Sequence, residues 1–224
     1  MIDQKSVKLV AEPVSLEIDL NRLAVFVIDM QNAFVSKGGM FDLWGFDIST
    51  IPAVIEPIKK ITNAAREKGV KVIHFSHTLT PDAREIGPMS TFYYNKVMQS
   101  YREKPEMRDS LLMRGTWGAE TIEELKPRKD EMLIEKPRFS AFVGTGLDTL
   151  LRSFDIKFLI FTGVATNICV ESSLRDACHR EYLPILVSDA AAASPSSRQE
   201  STIANVIQCF GWVTETEKLL NILQ

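Results

Sequence analysis

Asp29, Lys136 and Cys169 are three residues of different chemistry that together can attack a carbonyl carbon. A cysteine becomes a strong nucleophile once it loses its proton. A carboxylate can take that proton and hand it to a leaving amine, and an ammonium group steadies the anions formed on the way. Each residue stands at the end of an apolar run. Cys169 follows Phe158-Leu159-Ile160-Phe161-Thr162-Gly163 and falls where a helical pattern begins, at about Asn167. Unpaired amides in a first helical turn favour a thiolate. Asp29 directly follows the run Leu23 to Ile28, and Lys136 follows Met132 to Ile134. Pro137 keeps Lys136 extended, which projects its side chain off the strand end.

Each residue also has an ordinary reading. A strand-end aspartate serves as a turn or cap, a lysine is usually solvated, and a strand-to-helix cysteine can be core. The combination is more informative, because open α/β sheets bind ligands where the carboxyl ends of their strands meet. A cysteine–histidine pair has little to draw on, since the chain has three histidines. His74 lies inside a strand pattern and is expected to be structural. His77 lies near a strand end within reach of a pocket. His179 is ten residues past Cys169, which at about 100° per residue turns it away from that side chain.

The elements that must position these residues alternate along the chain. Strands are expected at Leu23 to Ile28, Val70 to Phe75, Met132 to Ile134, Phe158 to Thr162, Pro184 to Val187 and near Trp212-Val213. Helices are expected at Ile51 to Lys68, Leu147 to Phe154, Asn167 to Tyr182 and Ser196 to Phe210. The order predicts an α/β fold: a three-layer α/β/α Rossmann-like sandwich on a six-stranded, mainly parallel sheet. A single domain over 1–224 is expected, with an N-terminal extension at 1–20. The interval 78–129 holds Pro81, Pro88, Pro105 and the cluster Phe92, Tyr93, Tyr94; it is too long for a plain crossover and is expected to build a lid or pocket.

Bulk properties narrow the function. The chain has 224 residues, 45% hydrophobic and 25% charged, with a net charge of -3, so neither a nucleic-acid surface nor a membrane patch is expected. Asp3, Lys5, Lys8 and Glu12 leave no apolar leader, and no segment approaches a membrane span. Three unpaired cysteines point to a reducing compartment, with the cytoplasm the expected location. Cys178, half a helical turn out of phase with Cys169, and Cys209 are both expected to be packed. Gly144-Thr145-Gly146 is a turn and not a phosphate loop. Glu171 and Arg175 are spaced as an i,i+4 ion pair.

Three ordered motifs carry a resemblance over about Leu23 to Trp212: Val27-Ile28-Asp29-Met30-Gln31-Asn32-Ala33-Phe34, Lys136-Pro137-Arg138-Phe139-Ser140-Ala141-Phe142, and Thr162-Gly163-Val164-Ala165-Thr166-Asn167-Ile168-Cys169-Val170-Glu171-Ser172. With these the chain resembles the isochorismatase-like cysteine hydrolases. The resemblance implies Asp29, Lys136 and Cys169 as a catalytic triad. It also implies a cis peptide between Val164 and Ala165, and an oxyanion hole made by the amides of Ala165 and Cys169. The implied activity is cleavage of a C–N bond in a small ureido, carbamoyl or amide substrate through a covalent thioester-type intermediate, without a cofactor.

The stretches Gly38 to Asp47, Gly115-Thr116-Trp117 and Phe210 to Val213 are most similar to family members that act on ureidoacrylate-like compounds in pyrimidine degradation. The segment Phe75-Ser76-His77-Thr78-Leu79 departs from that pattern. Biuret, N-carbamoylsarcosine or an amide such as nicotinamide are the alternatives, and a non-catalytic binding protein is a third class. Nicotinamidase-like members hold a metal through paired histidines, which are absent after His77, so no metal is expected. Substrate-binding positions are expected at Gln31, Phe34, His77, Trp117, Arg138, Phe142 and Val164, with Arg138 a partner for a substrate carboxylate. Trp44, Trp117 and Phe142 either close the pocket or pack at a contact in a homo-oligomer, a dimer or tetramer.

Overall fold

The computed structural model describes residues 6–86 and 91–224. Asp3 and Lys5 of the N-terminal extension and Pro88 of the long excursion lie outside the described residues. The strands are β1 (Ser6–Leu9), β2 (Leu16–Asp19), β3 (Leu23–Ile28), β4 (Lys71–His77), β5 (Met132–Lys136), β6 (Phe158–Val164), β7 (Leu183–Ala192) and β8 (Trp212–Thr214). The α-helices are α1 (Asn32–Val35), α2 (Met40–Leu43), α3 (Ile55–Glu67), α4 (Phe92–Glu103), α5 (Leu147–Ser153), α6 (Glu171–His179), α7 (Ser196–Asn205) and α8 (Thr216–Leu223).

Strands β3 to β8 form one parallel sheet in the order β5-β4-β3-β6-β7-β8, and β1 pairs with β2 in a separate antiparallel hairpin. The central strands β3 and β6 are buried on both faces, which is why they read as nearly unbroken apolar runs, whereas the edge strand β5 leaves Leu133 and Glu135 exposed. Alternation sorts the side chains within those runs. Leu23, Val25 and Val27 point to the face covered by α3 and α8, with Ile58, Ile61, Leu219 and Leu223. Ala24, Phe26 and Ile28 point to the face covered by α5 and α6, with Leu147, Leu151, Leu174 and Ala177. Phe26 anchors this second core, with ring centroids 4.8 Å from Phe75 and 5.2 Å from Phe161.

The chain builds outward from β3 through β4 to β5, then returns to the other side of β3 to lay down β6, β7 and β8. The crossover direction therefore reverses between β3 and β6, and a crevice opens at their carboxyl ends. Close approach of the two strands there depends on Gly163. It sits opposite Ile28 with φ +109°, and a Cβ at this position would lie 2.1 Å from the Ile28 carbonyl oxygen.

Several elements differ from the sequence expectation in extent. Strand β4 continues to His77 and β5 to Lys136, so both residues end a strand instead of following one. Strand β7 runs on to Ala192. The expected helix from Asn167 begins as a π-turn, Thr166–Val170, before α6, and the helix from Ser196 ends in a second π-turn, Val206–Phe210. The helix expected from Ile51 starts with a 3-10 turn, Ile51–Val54. Cys209 is exposed and Cys178 only partly buried, contrary to the expected packing. No helix among the described residues is long and apolar enough to cross a membrane.

Candidate active site

Asp29 is the first residue beyond β3. Its amide still donates to the Phe75 carbonyl at 3.1 Å, and its φ of 53° turns the chain sharply away from the sheet. Aspartate tolerates this left-handed conformation better than most residues. Lys136, the last residue of β5, reaches back across the end of β4. Its Nζ donates to Asp29 Oδ2 at 2.8 Å and to the Arg138 carbonyl at 3.1 Å. Both side chains of this ion pair are fully buried. Cys169 lies in the π-turn after β6 and is 4% exposed. The Val164–Ala165 peptide leading into that turn is cis, as the resemblance implied.

Three buried groups converge on one point. An Asp29 carboxylate oxygen, the Cys169 sulfur and a His77 ring nitrogen all lie within 4.8 Å of one another. Asp29 Oδ1 and His77 Nδ1 make no hydrogen bond among the described residues. The same three groups are a donor set of a kind that can hold a metal ion, but the Lys136 ammonium already supplies the cation there, 2.8 Å from Asp29.

Burial raises the Asp29 pKa above the usual carboxylate value, with Lys136 pulling against it. Burial and the Asp29 charge push the Cys169 thiol well up, again opposed by Lys136. For Lys136, burial favours loss of the proton, but Asp29 and Cys169 outweigh it and the ammonium is retained. At neutral pH Cys169 thus rests as a thiol and Lys136 as an ammonium, with the Asp29 carboxyl group beside both as the proton acceptor. His77 is held neutral by burial and by the charges of Lys136 and Arg138.

Aromatic rings enclose this point. His77 stacks on Tyr93 with centroids 5.9 Å apart, and Phe139 meets it edge-on at 5.8 Å. Beside Cys169 a narrow cavity of about 10 Å³ is lined by Phe34, Phe41, Tyr93, Phe139, Val164, Ala165 and Ile168. It abuts an outer cavity of about 70 Å³ that shares Phe41, Ala165 and Ile168 and opens past Asn167, Asp47, Ser194 and Arg198. A larger cleft of about 430 Å³ runs along the β5 edge past Ser76, Arg114 and Glu135. It contains none of Asp29, Lys136 and Cys169, so the chemistry points to the smaller pair.

The expected substrate positions divide. Phe34 and Val164 line the inner cavity, and His77 faces the reacting groups. Gln31 is fully buried and its amide ties β4 to the excursion: it accepts from the His77 amide at 2.7 Å and donates to the carbonyls of His77 and Ala119. Arg138 turns its guanidinium onto the carbonyls of Pro137 and Glu85 and over the Tyr94 ring. Phe142 packs against Tyr182 in the core beside α5 and α6. Trp117 is part-exposed, and its carbonyl accepts from Asn32. These last four do not line either cavity beside Cys169. Tyr93, Phe139, Asn167 and Arg198 were not picked out as site residues; Tyr93 belongs to the aromatic cluster, Phe139 and Asn167 lie within the Lys136 and Cys169 motifs, and nothing local distinguishes Arg198. Glu171 and Arg175 form the expected pair, at 2.6 Å.

An isochorismatase-domain family profile matches residues 23–218. Among curated proteins, the ureidoacrylate amidohydrolase RutB of Methylorubrum extorquens is 41% identical over 213 residues, covering 94% of this chain and 86% of that protein. The RutB of Agrobacterium fabrum is 39% identical over 218 residues, covering 96% of each. Among solved structures, a cysteine hydrolase from Pseudomonas syringae superposes with a TM-score of 0.80 at 30% identity, covering 92% of this chain and 94% of that one. The N-carbamoylsarcosine amidase of Thermoplasma acidophilum shares the fold, with a TM-score of 0.65 at 24% identity over 88% of this chain and 97% of that one.

Proposed function

The chain belongs to the isochorismatase family, and we propose that within it the protein is a cysteine-dependent amidohydrolase of small ureido acids, ureidoacrylate-like compounds first among them. It is a hydrolase of carbon–nitrogen bonds other than peptide bonds, as its relatives at about 40% identity are. One observation supports the mechanism above all: Asp29 and Cys169 lie in contact range at the crossover reversal, and Lys136 is paired with Asp29 in full burial.

Asp29 takes the thiol proton, and the Lys136 ammonium beside it limits the cost of the thiolate left in this buried site. The thiolate attacks the ureido carbonyl, forming a C–S bond. The oxyanion is received by the amides of Ala165 and Cys169, each such donor being worth roughly two to three orders of magnitude in rate. The tetrahedral adduct collapses, the C–N bond breaks, and Asp29 returns its proton to the leaving amine. Water then attacks the thiocarbamate with Asp29 as base, and releases Cys169 and a carbamate that decomposes to ammonia and carbon dioxide. Phe34, Val164 and His77 hold the substrate: the two apolar groups bound a slot suited to a flat molecule, and the neutral imidazole offers a hydrogen bond to the ureido group. We also read the protein as cytoplasmic and as a homo-oligomer, a dimer or tetramer, which light scattering in solution tests.

Ammonia release from 3-ureidoacrylate, biuret, N-carbamoylsarcosine and nicotinamide tests the assignment. Fastest turnover of 3-ureidoacrylate is expected. Preference for biuret or nicotinamide would overturn the ureido-acid class while leaving the chemistry in place, and preference for N-carbamoylsarcosine would keep the class but displace ureidoacrylate from first place in it.

A further inference from the structure

We propose that Arg198 reads the carboxylate of the substrate and makes the enzyme selective for ureido acids over neutral ureas and amides. The inference rests on the function proposed above and names the group that recognises the far end of the substrate. The inner and outer cavities share Phe41, Ala165 and Ile168, so the outer one is the approach to Cys169. A molecule whose carbonyl meets the sulfur and whose anionic group lies a few atoms away extends into this outer cavity.

Arg198 stands in the first turn of α7 and lines that cavity. Among the described residues its guanidinium has no hydrogen bond or ion pair, whereas the other cations near the site are committed. Lys136 is held by Asp29 and the Arg138 carbonyl, and Arg138 by two carbonyls and a ring. Arginine presents a planar fork that matches a carboxylate with two parallel hydrogen bonds. Asp47 lines the same cavity, where its carboxylate accepts from the Ser49 amide at 2.9 Å and from the Ser194 hydroxyl at 3.4 Å. Its charge repels an incoming anion. Without Arg198 the lining would be net negative and the preference for an acid would be lost.

The test compares kcat/KM for 3-ureidoacrylate with that for its methyl ester. In Arg198→Gln the acid-to-ester ratio is expected to fall by roughly 10- to 100-fold, mostly through KM, as for loss of a charge-assisted pair. Arg198→Lys should recover part of it, and Asp47→Asn should raise the ratio. An unchanged ratio in Arg198→Gln would overturn the proposal. A second readout does not depend on the substrate: alkylation of Cys169 by N-iodoacetyl-β-alanine and by its methyl ester, followed on the Cys169 peptide by mass spectrometry. Should the wild type hydrolyse neither ureido compound, the function reading fails on its own. The acid-to-ester alkylation ratio then decides Arg198, a fall in Arg198→Gln supporting the carboxylate subsite and no change refuting it.

Discussion

Replacing Lys136 by methionine removes a charge from a fully buried site and keeps most of the side-chain volume. Lys136 Nζ lies 2.8 Å from Asp29 Oδ2, and both side chains are fully buried. At an effective dielectric of about 20, two unit charges at that separation interact by about 6 kcal/mol, or about four pKa units. Burial already raises the Asp29 pKa, with Lys136 opposing it. Without the ammonium, burial acts on Asp29 unopposed and favours its protonated form, which limits the damage. The expected loss of stability at pH 7 is about 3–5 kcal/mol, the usual cost of removing one partner of a buried pair. With its folded pKa raised above the unfolded value, Asp29 in Lys136→Met favours the folded state least at high pH, so the variant should weaken as pH rises. The double variant Asp29→Asn, Lys136→Met carries neither charge and should regain about 1–3 kcal/mol, with the gap between double and single widening from pH 5.5 to 8.5. Urea unfolding at several pH values measures this directly. A double variant less stable than the single, or a gap independent of pH, would refute the reasoning. Both variants should be inactive.

Other perturbations follow from individual contacts. His74 is buried beside Glu131 at 3.3 Å, and burial lowers its pKa to about 4. The folded state therefore prefers the neutral ring, and a contribution of at most about 3 kcal/mol, complete above pH 6.5, should be lost as pH falls towards 4; His74→Gln should flatten that part of the stability profile. Gly163→Ala would place a methyl group against the Ile28 carbonyl at a positive φ, so an unfolding midpoint lowered by the equivalent of about 2–4 kcal/mol is expected. His77→Phe keeps the ring contacts and removes the nitrogen facing Cys169; kcat/KM is expected to fall by about tenfold or more, and full activity would remove His77 from the site.

The sheet and its order of elements were legible because strands buried on both faces must be apolar throughout, as in β3 and β6. Asp29, Lys136 and Cys169 were singled out because each comes close after a strand-like run; Asp29 directly follows β3, Lys136 ends β5 and Cys169 sits in the π-turn after β6. Other features were not legible. The π-turn that opens the helix after β6 departs from the ordinary helical period the sequence pattern presents, and the cavity beside Cys169 is lined by Phe34 and Tyr93, more than 70 residues away in sequence. Gln31 and Arg138 lie two residues from Asp29 and Lys136 in sequence, and the hydrogen bonds of their side chains to backbone carbonyls and amides of neighbouring segments could not be read there. Arg198 carries no local signal, because its role depends on the outer cavity formed only when α7 packs beside Phe41 and Ile168. Cys209 is exposed and lies in the second π-turn, which helical periodicity does not anticipate.

The central claim is that Cys169 forms a covalent bond with the carbonyl carbon of a ureido acid. Intact-protein and peptide-level mass spectrometry after rapid acid quench of the wild type with 3-ureidoacrylate, beside Cys169→Ala, tests it most directly. The account predicts an adduct of carbamoyl mass on the Cys169 peptide during turnover, and a folded alanine variant with neither adduct nor ammonia release. Continued ammonia release by Cys169→Ala, at a rate comparable to the wild type, would contradict it.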